Sequence, residues 1–184
     1  MEYRTAVFET LCRCINTLAY ADKLCDIAIM GVVHNYKTHV KWTGNKGAGT
    51  ASYEAYDRSF TLSMEGKEDI LCSADIPFRG DGSKYNPEDM LLSSLSSCHM
   101  LWFLHLCADE GIVVLEYEDQ ASGVLTMMPE SSKFSRVDLF PIVTIEDESK
   151  AELANSLHTM ARNKCFIANS VNFPVEHHPI CKSL

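Results

Sequence analysis

Residues 86–102 read Asn86-Pro87-Glu88-Asp89-Met90-Leu91-Leu92-Ser93-Ser94-Leu95-Ser96-Ser97-Cys98-His99-Met100-Leu101-Trp102, a weakly charged segment with one thiol near its middle. Asn86 suits the N-cap of a helix, and Pro87 suits the first helical position, where a missing N–H costs nothing. Two acidic residues follow in the first turn, where the helix dipole favours negative charge. Because Gly111 can adopt the left-handed conformation that ends a helix, the pattern predicts one helix from about Pro87 to Asp109.

The predicted helix is apolar on nearly all sides, so it must be buried or lie against a partner. Cys98 is therefore either an inert core residue or a sheltered nucleophile. Trp102, one helical turn later, can line a pocket beside the Cys98 thiol. His99 is adjacent in sequence and does not face Cys98 on a helix. The choice between an inert and a reactive Cys98 decides the function.

The composition excludes some classes of protein. The 184 residues suffice for one domain with a real core, and their formal net charge is −9. This charge, with no cluster of Lys and Arg, argues against nucleic acid as a partner. The longest apolar stretch near the N-terminus is only Ile27 to Val33, so no segment is expected to reach the roughly 20 apolar residues of a membrane span, and no membrane partner is expected.

The cysteines indicate a reducing compartment. Eight are present, and the N-terminus lacks the basic cluster and unbroken apolar region of a secretory signal. We therefore expect a cytoplasmic protein with free thiols. No Cys-x-x-Cys pair exists, so a zinc ribbon is not available, and the seven scattered histidines do not share a helical face; neither a metal nor a cofactor is expected. The cysteines are Cys12, Cys14, Cys25, Cys72, Cys98, Cys107, Cys165 and Cys181.

The order of predicted elements defines an α+β fold. Residues 1–33 are expected to be a helical N-terminal extension, with Met30 as an alternative natural start, and residues 34–184 form the main domain. Strands precede the long helix, more strands follow it, and a second helix and a final strand close the chain, which is not a βαβ array. The predicted strands are 34–43, 51–62, 68–73, 112–117, 121–127, 135–146 and 170–178, with the second helix at 148–163, a glycine-rich hairpin loop at 44–50 and a polar loop at 77–85.

Charged groups near two cysteines suggest thiol chemistry. Cys165 follows the second predicted helix and has two cations nearby that would favour a thiolate, although they also suit an ordinary helix C-terminus. Arg79 lies in a glycine-flanked loop before the long helix. It is either a solvated loop charge or the cation that lowers the pKa of Cys98, with Glu88 holding its guanidinium through a bidentate pair.

Together these segments resemble the OsmC/Ohr family of thiol-dependent peroxidases, specifically an OsmC-like branch. The resemblance runs from about His34 to Cys181 and leaves residues 1–33 outside. Phe166 stands after the second cysteine, where the better-known members commonly have proline. The segments that carry the resemblance are Val40-Lys41-Trp42-Thr43-Gly44-Asn45, Phe78-Arg79-Gly80-Asp81, Asn86-Pro87-Glu88-Asp89-Met90-Leu91, Ser94-Leu95-Ser96-Ser97-Cys98-His99-Met100 and Cys165-Phe166-Ile167-Ala168-Asn169-Ser170-Val171-Asn172-Phe173-Pro174.

The resemblance implies an intertwined homodimer, with strongly curved antiparallel sheets wrapped around long central helices and two active sites at the interface. It implies that Cys98 is the peroxidatic thiolate and Cys165 the resolving thiol. Arg79 and Glu88 would be the charged pair that activates Cys98, with Arg58 as the alternative arginine. The implied activity is the reduction of a hydroperoxide substrate in oxidative-stress defence, with an external dithiol as reductant and no bound cofactor.

The residues suit this chemistry, because a thiolate attacks the O–O bond and the resulting sulfenic acid condenses with a second thiol. An apolar wall of Leu95, Trp102 and Phe103 is expected to favour organic hydroperoxides over hydrogen peroxide. Two alternatives stay open. One is a non-catalytic stress-associated or ligand-binding dimer of the same fold, with structural cysteines. The other is a cysteine hydrolase that pairs Cys98 with a histidine such as His158, brought close by folding.

Overall fold

The computed structural model of the protein describes residues 33–183, so the predicted extension at 1–33 lies outside the described residues except for Val33. The order of elements confirms the α+β fold. The strands are β1 (His39–Trp42), β2 (Phe60–Ser63), β3 (Ile70–Cys72), β4 (Val114–Asp119), β5 (Ser122–Thr126), β6 (Lys133–Leu139), β7 (Pro141–Ile145), β8 (Val175–His177) and β9 (Ile180–Ser183), and the helices are α1 (Pro87–Asp109) and α2 (Ala151–Lys164).

The long helix has the bounds and the cap that the sequence predicts. The Asn86 side chain accepts from the backbone N–H of Asp89 at 2.7 Å, and the Asp89 carboxylate accepts from the N–H of Asn86, so the two form a capping box. Gly111 follows the helix with a φ of 63°. The local signals therefore define both ends of α1 before any tertiary contact is considered.

The strands form three sheets of three, in the orders β1-β2-β3, β4-β7-β9 and β5-β6-β8. The first sheet is antiparallel throughout. In the other two, the C-terminal strands β8 and β9 pair in parallel with β6 and β7. The sheets are thus antiparallel as expected, apart from one parallel pair in each of these two.

Several predicted strands have different bounds in the structure, and only His39–Trp42 of the segment 34–43 is strand. Only residues 60–62 of the segment 51–62 are strand, as the start of β2, because turns and loop occupy the residues before them. The segment 135–146 divides at Phe140 into β6 and β7, which belong to different sheets. The segment 170–178 keeps only β8, preceded by a 3₁₀ turn at Ala168–Ser170, and β9 was not predicted. β propensity finds strands but does not show where a chain changes sheets.

Two buried clusters form the core. The larger joins the C-terminal half of α1 to α2 and β7, and the smaller joins Leu95 of α1 to β6 and β8. The larger contains Phe103, Leu106, Cys107, Ile112, Val143, Ile145, Ala154, Leu157 and Ala161. Because α1 contributes to both clusters, its packing fixes the position of Cys98 relative to the two C-terminal sheets.

By length and composition, α1 is long and apolar enough to cross a membrane, with 23 residues and a mean hydropathy of 1.3. No segment was expected to be long and apolar enough to span a membrane, and α1 shows that this expectation is wrong. Core helices of globular proteins have the same property, and α1 buries Leu95, His99 and Phe103 inside the fold. Only 28% of its most apolar window is buried within the described chain, so much of its apolar surface faces outward.

Candidate active site

Cys98 and Cys165, which the family resemblance pairs, lie near each other in the structure. Cys98 lies near the middle of α1 and is half-buried, whereas Cys165 caps the C-terminus of α2 and is 1% exposed. The two side chains are close enough for Cys98 to raise the pKa of Cys165. Both are free thiols, as are the other three cysteines of residues 33–183. The pair therefore combines an accessible sulfur with a buried one.

The two thiols are in different electrostatic environments. Burial raises the pKa of Cys165, and a hydrogen bond with Cys98 raises it further. The backbone N–H of Ala168 donates to the Cys165 sulfur at 3.4 Å and acts in the opposite sense, but burial dominates. Cys165 is therefore held as a protonated thiol.

Aromatic side chains follow both cysteines. The Trp102 ring, one turn after Cys98, meets Phe166 edge-to-face with centroids 5.5 Å apart. His105 packs on Trp102 in the same manner at 5.6 Å, and the Lys164 ammonium lies 5.3 Å from the centre of the indole. Phe166 is 68% exposed, so this apolar surface is open to solvent in the protomer.

The predicted apolar wall is only partly present. Leu95 is 1% exposed and belongs to the smaller core cluster. Phe103 is fully buried, stacked on His158 with centroids 3.9 Å apart. Neither residue offers accessible surface to a substrate, because their helical positions face the sheets. Of the three predicted residues only Trp102 has an accessible position, and Phe166, which the sequence did not suggest for this role, lies against it.

Arg79 lies in a tightly fixed loop. It has a φ of 63°, an uncommon conformation for a residue other than glycine. Its N–H donates to the carbonyl of Ile76, and the N–H of Gly80 donates to the carbonyl of Asp75. A Cβ on Gly80 would lie 1.6 Å from the carbonyl oxygen of Ala74, so only glycine fits there. The loop therefore fixes the point from which the Arg79 side chain projects.

Arg79 and the alternative arginine, Arg58, share a neighbour. The Arg58 guanidinium lies 4.0 Å from the ring centre of Tyr53 and 4.3 Å from that of Tyr56, and it donates to the carbonyls of the same two residues. The Arg79 guanidinium lies 5.9 Å from the Tyr53 ring and 4.0 Å from Glu54. Arg58 is thus held by four contacts, whereas Arg79 is half-exposed and loosely held.

The predicted pair of Arg79 with Glu88 does not form within residues 33–183. Glu88 is half-buried at the second position of α1, and among residues 33–183 it has no ion pair within 4.0 Å. The carboxylate beside Arg79 is that of Glu54. No hydrogen bond joins either arginine to Cys98 within the described range. The described chain thus has the two thiols near each other without the charged pair.

A cleft of about 400 Å³ runs along the other flank of α1, away from Cys98. It is lined by polar and apolar side chains, among them Ser93, Ser97, Met100 and Tyr117. The Ser96 hydroxyl, also at its edge, donates to Asp119 at 2.5 Å. No group of three or more potential ligands in the described part of the chain could hold a metal ion.

Sequence reasoning missed a cluster of two buried histidines and one half-buried histidine. Nε2 of His99 lies 2.9 Å from Nδ1 of His158, and the His99 ring centre lies 4.3 Å from that of His177. Burial lowers the pKa of all three, to about 3 for His99 and about 4 for the other two. One signal in the sequence indicated that His99 is buried: it lies between Leu95 and Phe103 on one face of α1. His158 contacts His99 and Cys181, and has no hydrogen bond with Cys98.

Comparison with known proteins identifies the family. Residues 80–178 match the OsmC-like protein family, so the chain belongs to it. The solved structure of an OsmC-like protein of unknown function from Vibrio cholerae is 30% identical and superposes with a TM-score of 0.72, covering 80% of this chain and all of that one.

Two other relatives are more distant. An organic hydroperoxide resistance protein from Legionella pneumophila is 17% identical, with a TM-score of 0.55 over 82% of this chain and 99% of that one. The uncharacterized protein YmaD of Bacillus subtilis is 20% identical over 149 residues, which cover 78% of this chain and 90% of that protein. The Legionella pneumophila structure supports the shared fold.

Proposed function

We propose that the protein is a thiol-dependent peroxidase that reduces organic hydroperoxides, and hydrogen peroxide more weakly, in oxidative-stress defence. The proximity of half-buried Cys98 to buried Cys165, whose pKa is raised, carries this proposal. Membership of the OsmC-like family supports it, since structural relatives include proteins named for organic hydroperoxide resistance. An external dithiol in a reducing, cytoplasmic setting would restore the pair.

The reaction has two chemical steps. The Cys98 thiolate attacks the O–O bond of the hydroperoxide, so that an S–O bond forms and an alkoxide leaves. The product is a sulfenic acid at Cys98. The Cys165 sulfur then attacks the Cys98 sulfur, and water leaves as the Cys98–Cys165 disulfide forms. An external dithiol reduces this disulfide through thiol–disulfide exchange and completes the cycle.

The surface beside the thiols favours an organic substrate. Trp102 and Phe166 form an exposed aromatic corner that follows both cysteines. An apolar group on the hydroperoxide would cover this corner, whereas hydrogen peroxide gains nothing from it. Equal turnover of cumene hydroperoxide and hydrogen peroxide would contradict this part of the proposal.

A homodimer would complete the site. Leu101 of α1 is 63% exposed, and further large apolar side chains of the first sheet, such as Leu71, are exposed as well. Such surfaces mark protein–protein interfaces in globular proteins. Because neither arginine bonds to Cys98 within its own protomer, we propose that an arginine of the partner reaches the thiol across this interface. Arg79 is the favoured residue, since Arg58 is already held by two carbonyls and two rings.

The first test is a map of disulfides after oxidation. Reduced wild-type protein treated with one equivalent of cumene hydroperoxide is expected to lose two thiols per chain and yield a Cys98–Cys165 peptide by mass spectrometry. Cys72→Ser is the matched control, because that buried thiol lies in β3, and it should give the same peptide. An unmodified Cys98 after complete consumption of the peroxide would contradict the proposal.

The second test separates the two arginines. Arg79→Gln is expected to lower kcat/KM for the hydroperoxide about a hundredfold, because the guanidinium would stabilise both the thiolate and the leaving alkoxide. Arg58→Gln is expected to reduce thermal stability more than activity, since it removes two hydrogen bonds to the backbone. The pH dependence of Cys98 alkylation gives its pKa in each variant. A raised Cys98 pKa in Arg58→Gln alone would assign the role to Arg58.

The non-catalytic alternative has one observation in its favour. In the protomer Arg79 pairs with Glu54, so the described chain alone does not bring a guanidinium to Cys98. A dimer with structural cysteines would leave Cys98 with an ordinary pKa near 8.5. The alkylation experiment on wild-type protein separates the two functions, since the peroxidase requires a Cys98 pKa well below that value.

A further inference from the structure

A turn of backbone after α2 holds the sulfur of Cys165 from one side. The helix ends at Lys164, and Cys165 leaves the helical conformation with a ψ of 111°. The chain then folds back, so that the N–H of Ala168 donates to the Cys165 sulfur at 3.4 Å and the N–H of Asn169 donates to the Cys165 carbonyl at 3.0 Å. Residues 165–170 therefore form a closed turn, which we call the Cys165 turn, with one backbone N–H directed at the thiol.

One side chain ties the Cys165 turn to α2. The amide nitrogen of Asn169 donates to the carbonyl of Asn163 at 3.0 Å. That carbonyl belongs to the last turn of α2, where backbone acceptors have no partner inside the helix. The hydroxyl of Ser170, by contrast, donates to the carbonyl of Phe166 at 2.8 Å and stays within the turn. Asn169 therefore joins the turn to the helix end through its side chain and closes the turn through its backbone N–H.

The reactivity of Cys165 depends on where this turn holds its sulfur. Cys165 is only 1% exposed, so the sulfur must reach that of Cys98 from a buried position. Small displacements of reacting atoms in a packed site cost large factors in rate. A backbone N–H at the sulfur also stabilises the negative charge of a thiolate. Asn169 itself is exposed, so its bond to α2 is not a consequence of core packing.

We propose that Asn169 is a positioning residue for Cys165: its amide tether to α2 keeps the Cys165 turn closed while the Cys165 sulfur attacks the oxidised Cys98. This inference rests on the proposed function. In that step a bond forms between the two sulfurs, the S–O bond of the Cys98 sulfenic acid breaks, and water leaves with the Cys165 proton. Asn169 exchanges no proton or electron with either thiol. Its loss should therefore slow this second step and spare the first, in which Cys98 meets the peroxide.

The test measures the two steps separately in Asn169→Ala. Consumption of cumene hydroperoxide in the first turnover gives the rate of attack by Cys98, and quenched samples analysed for the Cys98–Cys165 peptide give the rate of disulfide formation. The first rate is expected to stay within about twofold of wild type and the second to fall roughly tenfold, so that dimedone traps the Cys98 sulfenic acid. Asn169→Asp keeps the shape of the side chain without its amide donor and should behave in the same way.

Asn169→Gln separates positioning from a general loss of stability. It keeps the amide donor, and an adjoining cavity of about 200 Å³, lined by Asn163 and Phe173 among others, has room for one more methylene. Most of the rate of disulfide formation is therefore expected to return. Ser156→Ala is the matched control, because it removes one exposed side-chain bond to the backbone earlier in α2, and it should leave both rates unchanged.

Two results would overturn the proposal. One is a wild-type rate of disulfide formation in Asn169→Ala, and the other is an equal fall in both rates that follows a loss of thermal stability and does not recover in Asn169→Gln. A separate measurement uses a Cys98→Ser background, in which Asn169→Ala is expected to raise the rate of Cys165 modification by a neutral maleimide about tenfold, because the turn opens. If wild-type protein forms no Cys98–Cys165 disulfide, the proposed function fails, and this reactivity alone then supports or refutes the tether.

Discussion

Cys98→Ser is expected to lower the rate of hydroperoxide reduction by at least about a thousandfold, as the loss of a catalytic nucleophile does in other enzymes. A serine hydroxyl is scarcely ionised at neutral pH and cannot attack the O–O bond at a useful rate. Stopped-flow consumption of cumene hydroperoxide by reduced protein measures this rate directly.

Cys165→Ser should behave differently, because Cys165 acts only after the peroxide bond is broken. The expected result is a first turnover of one equivalent per chain, followed by a dithiol-dependent rate that is lower than in wild type. Dimedone should trap the Cys98 sulfenic acid in this variant but not in wild-type protein, where Cys165 consumes it. Equal first-turnover rates in Cys98→Ser and wild-type protein would assign the chemistry to another thiol.

The protein is expected to lose stability steeply as the pH falls from about 6.5 towards 4. Burial, and the proximity of the three rings to one another, lowers the pKa of His99 to about 3 and of His158 to about 4. Burial also lowers that of His177 to about 4, with Arg162 acting in the same sense and Glu176 and Asp119 in the opposite one. In the unfolded chain each imidazole has a pKa near 6.5.

The sign follows from proton linkage. Below pH 6.5 the unfolded chain takes up as many as three protons that the folded chain excludes, so lower pH favours unfolding. Each excess proton contributes about 1.4 kcal/mol per pH unit, and three give an upper limit of about 4 kcal/mol per pH unit. Since a typical domain has only about 5–15 kcal/mol of stability, a fall of two pH units is expected to remove a large part of it.

Urea denaturation at pH 7.5, 6.0 and 5.0 measures this loss. His177→Gln is expected to reduce the dependence on pH by about one proton, because this ring is only half-buried and its removal leaves the His99–His158 hydrogen bond in place. His105→Gln is the matched control, since His105 is exposed beside Asp109 and should leave the slope unchanged. A free energy of unfolding that is constant from pH 7.5 to 5.0 would contradict the expected charge state of the cluster.

The sequence located some elements far better than others, for a physical reason. The bounds of α1 depend on groups within a few residues of its ends, such as the reciprocal bonds of Asn86 and Asp89 and the left-handed Gly111. The segment 135–146 was predicted as one strand because its β propensity is continuous. Its division at Phe140 depends on which strands pair with each half, and Phe140 donates its N–H to the distant Asp119.

The candidate site was also only partly predictable. Cys98 and Cys165 were singled out by their surroundings and paired through the family resemblance, and their roles stay predictions. The wall residues were not, because helical spacing alone does not show which side of an all-round apolar helix faces the sheets. Leu95 and Phe103 face them and are buried, whereas Trp102 lies on the side of Phe166 and Lys164.

By itself, the sequence determined the long capped helix, the α+β class and the thiol at the middle of α1, because these depend on local backbone chemistry and on the pattern of apolar residues. Only the tertiary structure decided which groups surround that thiol and which polar groups are buried together. His99, His158 and His177 come from three elements. Their neighbours are set by the packing of helices against sheets, which no short stretch of the chain contains.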